Sequence, residues 1–206
     1  MQVNPDNRTF QGITTLLSFI ALNVIYLLCC VPVVTIGVAT SALYEVTFRY
    51  ADEESGNLLK DYFVALKRNL VQASVVFLAL AVPLALMVFA AVFWSSLNST
   101  VSWAASALAG LAAAYLFAAI LHGMALVASF HNTTRQTLKN AMLLPIVVPL
   151  RTLWIVLVPL TCFALMVVVP AFTFIVATLG FSVGAYGTAF LFRPVFRRFS
   201  EAGATD

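Results

Sequence analysis

Residues 69–134 read NLVQASVVFLALAVPLALMVFAAVFWSSLNSTVSWAASALAGLAAAYLFAAILHGMALVASFHNTT, with no Asp, Glu, Lys or Arg. A helix needs about 20 apolar residues to cross the ~30 Å hydrocarbon core of a bilayer. The run is too long for one crossing and long enough for two. Ser95-Ser96-Leu97-Asn98-Ser99-Thr100 is its polar interruption. Trp94 and Trp103 flank that interruption, as indole rings do at a membrane interface. The stretch therefore predicts helices over 71–94 and 103–130 joined by a turn. Two such helices in tandem set the fold class: all-α, a polytopic transmembrane helix bundle.

Two further charge-free runs, 9–44 and 152–192, complete the bundle. As one helix the second would be ~61 Å long, far more than a bilayer. Pro170 divides it into spans at 153–169 and 173–192. In the first run, residues 13–31 make a span. Pro32-Val33-Val34-Thr35-Ile36-Gly37 then interrupts it, because proline and glycine weaken helix interiors. Val38–Tyr50 is apolar apart from Glu45 and Arg49 and is expected to continue as a helix into the headgroup region. A re-entrant segment is the alternative. The chain, 1–206, thus reads as a single integral membrane domain of five spans, or of six segments if 33–50 turns back.

Composition agrees. Apolar residues make up 62% and charged residues 9%, where soluble domains carry about 25% charge. A soluble enzyme, a nucleic-acid-binding domain and a disordered chain are excluded. Cys29, Cys30 and Cys162 have no disulfide or metal-ligand spacing and read as small apolar side chains within helices. Residues 1–12 carry only Asp6 and Arg8 as charges, so the start does not read as a cleavable signal. The sequons at Asn7, Asn98 and Asn132 read as chance matches.

Lysine and arginine set the orientation. They gather in 45–68 (Arg49, Lys60, Lys67, Arg68), in 131–151 (Arg135, Lys139, Arg151) and in the tail (Arg193, Arg197, Arg198). With five spans, every basic residue except Arg8 falls on one side, expected to be the cytoplasm. The C-terminus is then inside and the N-terminus outside. With six segments Arg8 joins the others.

Two of these loops have helical patterning. Leu58, Leu59, Tyr62, Phe63, Leu66 and Leu70 recur on one face, opposite Lys60, Asp61, Lys67 and Arg68. Thr134–Pro145 repeats this more weakly, with Leu138, Ala141 and Met142 against Arg135, Gln136 and Lys139. Both read as amphipathic helices in the cytoplasmic interface, anchoring the spans. The functional reading is a docking surface made by Lys60, Asp61, Lys67, Arg68, Arg135 and Lys139.

Four segments in order carry a resemblance: NVIYLLCCVPVVTIGVATSALY (23–44), NLLKDYFVALKRNLVQA (57–73), TLKNAML (137–143) and PLRTLW (149–154). They resemble the YesL-like family, small bacterial multi-span membrane proteins classed as a domain of unknown function. Leu22, Asn23, Leu28, Cys29, Pro32–Gly37 and Ala42–Tyr44 match its most specific block. Lys67, Asn69 and Gln72 match the second. The resemblance implies a bacterial cytoplasmic membrane and a role near carbohydrate uptake, since such genes often lie beside sugar ABC importers. It implies no catalytic residues and no cofactor.

Candidate residues remain few. His122 is ionisable and lies inside the third span, a functional candidate by position; a neutral histidine bonded to a neighbouring helix is the plainer reading. Neither His122 nor His131 has zinc-ligand spacing. Ser102, Ser106, Gly110, Ala114, Ala118 and His122 recur every four residues, and Gly180, Gly184 and Gly187 give the fifth span a small face. Such faces read as close helix packing, or as the lining of a small-solute path with His122 near its inner end. Asn23 reads as an interhelical hydrogen-bond group. Pro32–Gly37 reads as a kink or a hinge, and Glu45 and Arg49 as an i, i+4 ion pair. Without an acid–base pair or nucleophile the chain is not expected to be an enzyme. The leading expectation is a non-catalytic accessory component that works with ABC importer subunits. The alternative is a small-solute transporter or channel acting by itself.

Overall fold

The computed structural model describes residues 8–52, 56–97 and 99–202. Asn7, Asn98 and the N-terminal residues whose side of the membrane was read above lie outside the described residues. Among the described residues every regular element is helical. The helices are α1 (Arg8–Cys30), α2 (Ile36–Ala51), α3 (Leu58–Ser95), α4 (Thr100–Ser129), α5 (Thr134–Val147), α6 (Pro149–Val168), α7 (Phe172–Ile175) and α8 (Phe181–Ala202). A 3-10 turn, Val33–Thr35, precedes α2, and a π-helical turn, Val176–Gly180, joins α7 to α8.

Five stretches are long and apolar enough to cross a membrane: Gly12–Cys30, Leu58–Ser95, Thr100–Ser129, Pro149–Val168 and Phe172–Pro194. The breaks fall where the polar turn and Pro170 put them. At the first turn, Ser99 caps α4 by accepting from the Ser102 amide, and Ser102 returns its hydroxyl to the Ser99 amide. This is a serine version of the capping box and supplies partners to amides that a helix start leaves free.

The structure corrects two expectations. First, α2 does not run on from α1 into the headgroup region. It folds back along α1: Tyr26 pairs with Thr40 at 3.2 Å, and Tyr50 reaches Thr15 and packs edge-on against Phe19. α3 then reverses again, with Ala73 and Phe77 opposite Gly37, and Arg68 and Asn69 opposite Glu45. α1 and α3 therefore run the same way and α2 the other, which is the hairpin alternative. At ~24 Å α2 is shorter than a full span and is buried along most of its length.

Second, residues 57–70 do not form a separate helix lying in the interface. They are the first turns of α3, a continuous 38-residue helix. Charge stops near residue 69, but no helix breaker does, so the helix continues. Asn57 caps its start by accepting from the Lys60 amide. The buried stripe is Leu58, Tyr62, Ala65, Asn69 and Ala73, facing α2, whereas Phe63 and Leu70 are exposed.

α4 packs antiparallel on α3. Gly123 marks the closest crossing, where an added Cβ would stand 3.2 Å from Val76 and 3.3 Å from Ala141 of α5. The four-residue row along α4 is not one packing face. Ser102, Ala118 and His122 are buried, but Ala114 is exposed and a Cβ on Gly110 would meet nothing within 4 Å. A row of i, i+4 positions drifts around a 3.6-residue helix, so its middle leaves the interface that its ends occupy.

Candidate functional site

Polar side chains inside the bundle act as stitches between helices, and each can be traced to its partners. Asn23 is fully buried in α1. Its Nδ2 donates to the Val176 carbonyl at 3.2 Å and the Ala177 carbonyl at 2.7 Å. Its Oδ1 accepts from the amides of Phe181 at 2.9 Å and Ser182 at 3.0 Å. In a regular α-helix the Ala177 carbonyl would bond the Phe181 amide. Here the Asn23 amide is interposed between them, at the widened π turn. The Ser182 hydroxyl fixes the same crossing through the Phe19 carbonyl at 3.0 Å.

Glu45 is buried in α2, where an unpartnered carboxylate would be costly. Its Oε1 accepts from Arg68 and its Oε2 accepts from Asn69 Nδ2 at 3.0 Å. One helical turn on, Gln72 Nε2 donates to the Asn132 carbonyl at 2.8 Å and Thr137 Oγ1 at 3.0 Å, tying α3 to the start of α5. Sequence reasoning gave Glu45 a neighbour on its own helix and missed these partners. Asn69 and Gln72 were already visible as polar positions of the second block.

His122 is also fully buried. Its Nδ1 lies 3.1 Å from the Ala118 carbonyl, an acceptor only, so Nδ1 carries the proton. Its Nε2 lies 3.3 Å from Thr152 Oγ1 of α6, and its ring packs edge-on against Phe192. With one ring proton on Nδ1, Nε2 is an acceptor, and it shares the single Thr152 hydroxyl proton with the Val148 carbonyl, which lies closer at 3.0 Å. The pair is a principal polar tie between α4 and α6, whose own buried residues are Thr152 and Ile155. His122→Gln is expected to fold and to cost about 1 kcal/mol or less, the scale of one membrane-embedded hydrogen bond. A thermal melt in detergent checks this; a loss of several kcal/mol would show a larger role.

The break at Pro32 is local and satisfied. Pro32 is exposed, and its carbonyl accepts from the Thr35 amide at 3.0 Å. The Thr35 hydroxyl lies 2.6 Å from the Cys29 carbonyl. Gly37 follows, pressed on α3: a Cβ there would stand 2.7 Å from Phe77 Cγ and 3.0 Å from the Ala73 carbonyl.

The basic candidates do not form one cluster. Lys60 and Lys67 are exposed on α3, and Arg135 and Lys139 are exposed on α5. Asp61 is half-buried beside Gly56, and Arg68 is committed to Glu45. Arg193 pairs with Asp52 and lies 5.2 Å from the Phe190 ring, joining the ends of α2 and α8. Among the described residues no His, Cys, Asp or Glu set can hold a metal ion.

Between α2, α3, α4, α6 and α8 lies a chamber of about 420 Å³, which no sequence pattern announced. Phe77, Leu121, Met124, Phe163, Met166 and Phe181 are among its walls, and no charged side chain among the described residues lines it. Its hydroxyls are engaged within the walls: Tyr26 with Thr40, Thr40 with the Ile36 carbonyl, Thr188 with the Ala185 carbonyl. Gly180 and Gly184 line it, but only Gly184 has room beside it: a Cβ there would meet Val158 at 3.9 Å, whereas at Gly180 it would stand 2.8 Å from the Val176 side chain. His122 is not among its lining residues. The chamber suits an apolar guest, and the Cys162 thiol is in its lining.

Fold and chamber together define a multi-pass α-helical membrane protein. Residues 19–91, from the middle of α1 through most of α3, match the family described as "Protein of unknown function, DUF624". That stretch contains Asn23, Pro32, Gly37, Glu45, Arg68, Asn69 and Gln72. No curated protein and no solved structure matches the chain.

Proposed function

We propose that the protein is a non-catalytic component of a bacterial cytoplasmic membrane, an accessory to carbohydrate ABC import that docks its partner at the basic end of the bundle. The observation that carries the reading is the start of α3. Its inner face is occupied by α2, which leaves Lys60, Phe63, Val64 and Lys67 exposed together on a rigid helix. Apolar side chains beside basic ones suit a partner surface that is partly apolar and partly acidic. Arg135 and Lys139 are exposed on α5, apart from that patch. The likeness of the two blocks around Pro32–Gly37 and Lys67–Gln72 to the YesL-like family supplies the link to sugar importers.

The hairpin bears on orientation. When α2 returns along α1, the Arg8 end of α1 comes to the end where α3 starts and α8 finishes. All the basic segments then share one end, which the positive-inside rule assigns to the cytoplasm. This reading places both termini inside, in preference to an N-terminus outside. A permease for small polar solutes finds little support, since the chamber is apolar and the buried polar groups named above are occupied by one another.

Charge reversal at two exposed positions is the test. Lys60→Glu with Lys67→Glu is expected to reduce co-purification of importer subunits from native membranes at least tenfold, with the melting temperature unchanged. Simple attraction to anionic lipid, about 1 kcal/mol per basic residue, would leave co-purification intact. Solute flux by the purified chain in vesicles, with no partner present, would overturn the accessory reading.

A further inference from the structure

We propose that the central chamber is a binding site for one acyl chain of a membrane phospholipid, which enters sideways from the bilayer. The inference is independent of the accessory role and rests on the shape and chemistry of the walls.

Protein interiors are packed about as tightly as organic crystals, with few voids larger than a water molecule. A chamber of about 420 Å³ is therefore an exception that needs an occupant. Left empty, its walls would forfeit van der Waals contact along their whole length. Water is a poor filler, because each buried water needs two to four polar partners and the threonine hydroxyls here are already bonded, Thr40 to Tyr26 and the Ile36 carbonyl and Thr188 to the Ala185 carbonyl. Ions and sugars meet the same obstacle, with no charged side chain on the walls. What fits is hydrocarbon.

The route for hydrocarbon is lateral. Phe163 of α6 lines the chamber while 62% exposed, and Phe181 of α8 lines it while 38% exposed. These rings stand at a window on the lipid-facing side of the bundle. Only Thr152 and Ile155 of α6 are buried, so this helix is the loosest wall. A space of about 420 Å³ is on the scale of one acyl tail and not of a whole lipid. The opposite wall keeps the space open. Gly184 projects no side chain into it, and Asn23 holds the π turn in which Val176 packs over Gly180.

The test uses the full chain in phosphatidylcholine vesicles containing a lipid with a photoactivatable diazirine at mid-chain. After illumination, adducts are mapped by peptide mass spectrometry. Ile120 and Phe77 line the chamber and keep 8% and 9% of their surface accessible, so a chain in the chamber touches them and a chain on the outer surface barely does. Adducts are expected on both, alongside those on the outward-facing Phe89 and Val92. Gly184→Leu should block the site: its Cβ would stand 3.9 Å from Val158, an ordinary contact, and the rest of the side chain enters the chamber. The expected result is at least a fivefold drop in Ile120 adducts with Phe89 adducts unchanged. Ala81→Leu, on the opposing wall, should do the same if Gly184→Leu folds poorly. Adducts confined to Phe89, Val92 and other outward residues in the unaltered chain would overturn the proposal. So would undiminished Ile120 labelling in a well-folded Gly184→Leu protein.

Discussion

Gly37→Ala is expected to lower stability by about 3 kcal/mol, the upper part of the range for overpacking a tight core. A single methyl group is enough because the site has no slack. The new carbon would stand 2.7 Å from Phe77 Cγ and 3.0 Å from the Ala73 carbonyl. The carbonyl belongs to the α3 backbone and cannot rotate away. Phe77 is buried and also forms a wall of the chamber, so its retreat would disturb a second site. For a chain of this size, 3 kcal/mol corresponds to a fall in melting temperature of roughly 6–12 °C. Gly110→Ala and Gly187→Ala are the matched controls, since a Cβ at either meets nothing within 4 Å. Both are expected to leave stability unchanged or to raise it by up to ~1 kcal/mol, the helix-propensity gain of alanine over glycine. Detergent-solubilised melts followed by size-exclusion chromatography would show the contrast. If Gly37→Ala melts within a degree of the parent, α2 does not sit on α3 as closely as described. The control also reverses a sequence expectation, because Gly110 lies on the four-residue row that reads as a close-packed face.

The ends of the spans were legible because physical chemistry writes them locally. A bilayer admits no charge cheaply, so the charge-free runs show the helices. Ser95–Thr100 and Pro170 show the turns, because hydroxyl caps and a missing amide end helices wherever they occur. Direction was harder to read. Pro32–Gly37 announces a break, but a kink and a reversal use the same residues, and only the packing of Gly37 on Ala73 and Phe77 separates them. The start of α3 was misread for a related reason. A boundary in charge is not a boundary in helix, and from Leu58 onward no residue stops the helix until Ser95, Pro83 being absorbed within it. Glu45 shows the limit of the i, i+4 rule. Its nearest charge in sequence is Arg49, yet its two oxygens are taken by residues 23 and 24 positions away. The chamber left no trace in the sequence at all. Its walls are ordinary apolar residues, and a void is a property of how several helices fail to meet.

The second large effect is expected at Asn23, where one side chain serves four backbone groups. Membrane-embedded hydrogen bonds average about 0.6 kcal/mol each, so removing four by Asn23→Ala should cost about 2–3 kcal/mol. The loss has a direction as well as a size. Val176 and Ala177 would lose a donor, and Phe181 and Ser182 would lose an acceptor, inside a region with no water to replace them. The helix can recover part of this by closing the π turn into a regular ladder, pairing the Ala177 carbonyl with the Phe181 amide. That rearrangement would rotate Val176 and Gly180 relative to Phe181 and reshape one wall of the chamber. Asn23→Asp separates hydrogen bonding from size. It keeps an acceptor for the two amides but turns an anionic oxygen toward the two carbonyls, so it should be at least as damaging as alanine despite its nearly identical shape. Hydrogen exchange gives a local reading: the Phe181 and Ser182 amides are expected to exchange faster in both variants, while amides in the middle of α4 remain protected. If Asn23→Asp were as stable as the parent, the amide nitrogen would have no role at the crossing, and the π turn would have to be held by the oxygen that accepts from Phe181 and Ser182 and by the Ser182 bond to Phe19.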